Sequence, residues 1–157
     1  MQRFHSQGFF SKSTYCGTPP LSRRSTDSTQ HGPEGDIDEA IRYIAEDAVY
    51  ALHISGEALP HGGETVGREG IGAALRKVRE DFEYILYRPF KLTADGNTVR
   101  FQVEFMYRHR ESGEMLDGRF RMVMLVKDGL ITRVDEYHDR AKVEAFMRLV
   151  GRRPRQE

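Results

Sequence analysis

The stretch that most constrains this chain is Arg119 to Asp139, RFRMVMLVKDGLITRVDEYHD. It reads as two β-strands joined by Asp128-Gly129. Asp-Gly between apolar alternations is the strongest short hairpin signal, because both turn positions need φ > 0. The first arm alternates Phe120, Met122, Met124 and Val126 against Arg119, Arg121, Val123 and Leu125. The second alternates Val134, Glu136 and His138 against Arg133, Asp135 and Tyr137. One face of the hairpin is therefore apolar until it ends in Glu136 and His138. Two titratable groups at i and i+2 on such a face point to a site.

Upstream, the pattern changes several times. Residues 1–34 are rich in Ser, Thr, Gly and Pro and show no periodicity, so they read as a disordered or loosely packed extension. They read as a tail, or an upstream extension from a misassigned start codon, on a cytoplasmic protein; the alternative is an organellar transit peptide, which their basic, acid-poor start resembles in composition. From Asp36, Ile37, Ala40, Ile41, Ile44 and Ala45 keep helical spacing. Val49–Ile54 reads as a strand and Ser55–Gly67 as a loop. Ile71, Leu75, Val78, Phe82 and Ile85 mark a second helix from Arg68 to about Tyr84. A strand over Tyr87–Thr93 ends at the Asp95-Gly96 turn. Thr98–Arg110 is the longest alternating run, with Val99, Phe101, Val103, Phe105, Tyr107 and His109 on one face and mainly charged residues on the other. That contrast marks an antiparallel strand with one wet side. Val143, Phe146, Met147 and Val150 form a last helical stripe before Gly151, and residues 152–157 read as a tail. Strands in a run with helices segregated to one side predict an α+β fold.

Bulk composition removes several function classes. The 157 residues carry 24 Lys and Arg against 24 Asp and Glu. A balanced, interspersed charge gives no electrostatic case for nucleic acid or a membrane surface. No apolar run approaches the roughly 18 residues of a transmembrane helix. The single cysteine, Cys16, cannot close an internal disulfide.

The order of elements, together with Gly67-Arg68-Glu69-Gly70-Ile71, the Asp128-Gly129-Leu130-Ile131 turn and the Glu136-Tyr137-His138-Asp139 end, resembles the NTF2-like superfamily. The closest branch is that of the SnoaL-like and ketosteroid-isomerase-like proteins, and the resemblance covers about Asp36 to Leu149. It implies a domain over 35–151 in which a strongly bent antiparallel sheet wraps about three helices as a cone around an apolar pocket. It also implies a homodimer through the outer sheet face. Positions matching pocket-lining ones in ketosteroid isomerases are Leu52, Phe101, Val103, Phe120, Met122, Val134, Glu136 and His138. Phe105, Tyr107 and Met124 extend that wall by alternation, and Leu75 joins it from its helical stripe. The isomerase's general-base aspartate falls on Leu52 and its oxyanion aspartate on Met122, which argues against classical ketosteroid isomerisation. The family's donor tyrosine sits on a helix preceding Gly35, and residues 1–34 show no such pattern.

The candidate chemistry follows from these faces. A carboxylate in an apolar pocket beside an imidazole can act as an acid–base pair near neutral pH. Glu136 and His138 are the candidate catalytic groups, with Tyr50 or Tyr107 steadying a ligand carbonyl or hydroxyl. The alternative for the pair is an inert, hydrogen-bonded couple at a pocket mouth. His53, His61, His109 and His138 lack HxH or HxxxH spacing, so no metal site is expected, and nothing calls for a cofactor. His53 should face away from the pocket, and Asp139 sits where a helix N-cap belongs. Two readings stay open. One is an isomerase-, cyclase- or dehydratase-type enzyme acting on a small hydrophobic ring-containing molecule. The other is a non-catalytic ligand-binding or docking module.

Overall fold

The computed structural model describes residues 33–151. The expectations for residues 1–32 and 152–157, including the missing first helix, lie outside the described residues. Helix α1 (Pro33–Ile41) leads into strand β1 (Ile44–Leu52), then β2 (Gly63–Val66) and helix α2 (Arg68–Asp81). Strands β3 (Phe82–Asp95), β4 (Thr98–His109), β5 (Met115–Lys127) and β6 (Leu130–Tyr137) follow, and helix α3 (Arg140–Gly151) closes the domain.

The six strands form one sheet in the order β2-β1-β6-β5-β4-β3. Every neighbouring pair is antiparallel except β1 with β6, which is parallel. The β5–β6 turn is the expected two-residue hairpin: Lys127 pairs with Leu130, and Asp128 and Gly129 have φ of 51° and 78°. Both positive values match the right-handed strand twist. The inner face carries Phe101, Val103, Phe105, Phe120, Met122, Met124 and Val134, all buried with Val143 and Phe146 of α3 in one core. Ile44, Ala45, Ala48 and Ile71 form a second cluster, with Ile41 and Leu75 packed on it, joining β1 to α2. This is the α+β cone that the sequence predicts.

Three boundaries differ from the sequence-based expectation. The first helix stops at Ile41, and Ile44 and Ala45 belong to β1. The register of β1 against β6 shifts between Ile44 and Val49, and its buried residues fall at 44, 45, 48, 51 and 52. That spacing imitates a helix face although the backbone is extended. The second helix ends at Asp81, because Phe82 turns extended at φ −128° and starts β3. Phe82 still packs in the core, which keeps the stripe looking helical past the true end. The loop after β1 also contains a short edge strand, β2. Gly67, at φ +92°, lets the chain turn from β2 into α2, a conformation costly for any residue with a Cβ.

Candidate active site

Two strands distant in sequence bring the site together. The parallel register of β1 and β6 sets Tyr50 opposite Val134 and Leu52 opposite Glu136. Alternation points Tyr50 and Glu136 inward. His138 lies one residue beyond β6 and one before Asp139. The Asp139 carboxylate accepts the Lys142 backbone N–H at 3.1 Å, capping α3 as expected. His138 is thus held between a strand end and a helix cap.

The Tyr50 hydroxyl donates to one oxygen of Glu136, and the Nε2 of His138 is hydrogen-bonded to the other. The side chains of Glu136 and His138 are only 12% and 9% exposed. Phe120 stacks on the imidazole at 4.4 Å between centroids, and Phe105 meets it edge-on at 5.4 Å. With the carboxylate accepting from Nε2–H, the neutral imidazole carries its lone pair on Nδ1. That Nδ1 is buried and has no hydrogen-bond partner.

These groups border a cavity of about 280 Å³. Its apolar wall includes Leu52, Leu75, Phe105, Phe120, Met122, Met124 and Val134. Tyr50, Tyr107, Glu136 and His138 supply polar atoms. Phe101 and Val103, expected on the wall, do not border it; they are 2% and 0% exposed within the packed core. Alternation fixes the face a side chain takes, not whether its neighbours leave space above it.

Arg79, Tyr84, Tyr87 and His61 also border the cavity, and the sequence pattern did not place them there. Tyr84 and Tyr87 are three apart, which simple alternation would put on opposite faces. The register of β3 against β4 shifts between Tyr84 and Leu86, and this turns both rings inward. Arg79 comes from the last turn of α2. His61, on the loop between β1 and β2, has a buried Nε2 without a partner.

Burial pushes all four inward phenols up. Tyr50 is raised well above its ordinary value, first by burial and then by the Glu136 charge. Tyr107 is raised well above it by burial and by its phenol neighbours. Tyr87 also rises through burial, with Glu136 adding to the effect. Tyr84 reaches about 12, burial outweighing the opposing charge of Arg79. The cavity is therefore lined by phenols that stay protonated and can donate.

The remaining histidines go elsewhere. His53 faces outward, hydrogen-bonded to Asp135 at 2.9 Å and stacked on Tyr137 at 4.2 Å. Nδ1 of His109 lies 2.9 Å from the Ser112 hydroxyl. Among the described residues, no group of three or more His, Cys, Asp or Glu side chains is placed to hold a metal ion. Nor is any helix among them long and apolar enough to cross a membrane.

Residues 31–134, well over half of the sequence, match the SnoaL-like domain family. The chain belongs to the SnoaL-like family. Solved structures of the same fold agree with this membership. A protein proposed to be a SnoaL-like polyketide cyclase, from Mesorhizobium loti, is 21% identical with a TM-score of 0.59, over 67% of this chain and 87% of its own. A protein with a ketosteroid isomerase-like fold from Catenulispora acidiphila, in complex with trimethylamine, is 17% identical at a TM-score of 0.60, over 71% and 80%. TerC, co-crystallised with polyporic acid, is 17% identical at 0.62, over 72% and 86%. No curated protein matches the sequence. At such identities the structural likeness establishes the fold. The family match ends at residue 134, ahead of Glu136 and His138, so this SnoaL-like chain's site stands on its own geometry.

Proposed function

We propose that this SnoaL-like protein is an acid–base enzyme of the isomerase, cyclase or dehydratase type, acting on a small hydrophobic ring-containing molecule. One observation carries the reading: Tyr50 and His138 both bind the Glu136 carboxylate at the edge of a largely apolar cavity. A carboxylate on one imidazole nitrogen fixes the tautomer and leaves the other nitrogen to exchange a proton with the ligand. In this reading His138 Nδ1 takes a proton from an activated C–H or O–H and returns it at a second position. Glu136 orients the ring and stabilises its protonated form. Tyr50 is occupied with Glu136 and Tyr107 with Tyr84, so Tyr84 and Tyr87 are the donors left to steady a ligand oxygen. A second copy of the chain is the other partner we propose, across the outer sheet face, where Leu125 and Tyr137 are exposed.

The test is hydrogen–deuterium exchange at the activated carbon of 2-tetralone in heavy water, followed by proton NMR. The protein is expected to accelerate exchange, and Glu136→Gln or His138→Gln to slow it by about a hundredfold, the usual range for a positioned acid or base. Full activity in Glu136→Gln would overturn the assignment. A second reading, a non-catalytic ligand-binding module, is favoured by Leu52 and Met122, apolar residues on the cavity wall where the isomerases carry aspartates. It expects binding of 2-tetralone without acceleration, and an affinity that does not change between about pH 5 and 8, where a histidine-dependent site titrates.

A further inference from the structure

The cavity has a second polar region, on the strands opposite Glu136. In a flat sheet β3 would lie three strand spacings from β6, the strand that carries Glu136, about 14 Å away. The curl brings them together closely enough that the Glu136 charge acts on the phenols of Tyr84, Tyr87 and Tyr107. There the Arg79 guanidinium lies 4.0 Å from the Tyr84 ring centroid, and the Tyr84 and Tyr107 rings stack at 4.0 Å. The Tyr84 oxygen accepts from Arg79 and from the Tyr107 hydroxyl, and burial keeps its own proton in place. Arg79 is half-buried and borders the cavity, and among the described residues it forms no ion pair with a carboxylate. A half-buried cation without a counter-charge, beside a phenol with a proton to give, matches an anionic oxygen.

We infer that the ligand is a small ring-containing organic acid whose carboxylate or enolised oxygen binds at Arg79 and Tyr84, while its ring fills the apolar wall. The inference rests on the proposed function's use of this cavity and deepens it by naming the substrate class. It also fixes orientation. Glu136 repels an anionic oxygen, so the charged end goes to Arg79 and the opposite end of the molecule meets His138. The structural alternative is that Arg79 serves only the C-terminal end of α2 and the Tyr84 ring. A cation there is favoured by the helix dipole whether or not a ligand exists.

Paired probes separate these cases. Calorimetric titration of the full chain at neutral pH would compare 2-naphthoate with uncharged 2-acetylnaphthalene. The expected result is a preference for the acid of about tenfold or more, the scale of a charge-assisted hydrogen bond. Arg79→Met should abolish that preference while leaving the ketone's affinity within about twofold, and Arg79→Lys should keep part of it. Circular dichroism of each variant checks that it folds. Binding of the ketone with no preference for the acid, or a preference that survives Arg79→Met, overturns the inference and leaves the acid–base reading intact. Failure of both probes to bind overturns the use of the cavity itself, and the inference with it.

Discussion

Tyr50 is the residue on which the site's geometry turns. Its hydroxyl supplies one of the two hydrogen bonds that Glu136 accepts, and both partners are largely buried. Tyr50→Phe keeps the ring and removes only that donor. It is expected to lower stability by about 1.5–3 kcal/mol, because a buried carboxylate oxygen then loses its partner. Urea denaturation measures this, and an unchanged midpoint would show that the phenol does not support the carboxylate. At this scale the sequence was legible where alternation is unbroken. Period two put Glu136 and His138 on the face of Phe120 and Met122, and they stand there. Arg79, Tyr84 and Tyr87 were not legible. A bulge hides two of them from period two, and the third sits at a helix end whose position depends on how far the sheet curls.

Among the elements, the hairpin of β5 and β6 was the most readable, since its turn residues and both arms agree. Strand β1 was the least readable, because its bulge gives buried positions a helical spacing. The outer face of the sheet is crossed by ion pairs: Arg88 and Arg119 with Glu104, Arg108 with Glu83, and Arg133 with Glu64 and Asp135. Such exposed pairs each contribute under about 1 kcal/mol, so in the proposed dimer they would orient the second copy more than hold it. Leu125, 38% exposed, and Tyr137 interrupt them with apolar area. Sedimentation should therefore give twice the 18.1 kDa chain mass. Leu125→Glu should reduce it to one chain with unchanged circular dichroism. A monomeric parent would remove the proposed interface.

For the molecule as a whole, the four inward tyrosines set an alkaline limit. Each has a folded pKa raised above the unfolded value of about 10. Their contribution is fully present below pH ~10 and is lost as pH rises toward the folded values, since only the unfolded chain ionises early. Stability should fall above about pH 10, by up to ~1.4 kcal/mol per pH unit for each phenol. Phenolate absorbance from these rings should appear together with loss of helical circular dichroism. Smooth ionisation of these four near pH 10 in a chain that stays folded would contradict their burial.

The parallel pairing of β1 with β6 has a consequence in time. Tyr50 belongs to the first strand and Glu136 to the last, and 86 residues separate them. A chain emerging from the ribosome can close the β3–β4 and β5 hairpins from local contacts. It cannot make the Tyr50–Glu136 bond until the final strand has left the exit tunnel and docked beside the first. Such long loops close slowly. The proposed site is then assembled only at the end of synthesis, and a nascent or clipped chain ending before β6 lacks Glu136 and His138 altogether.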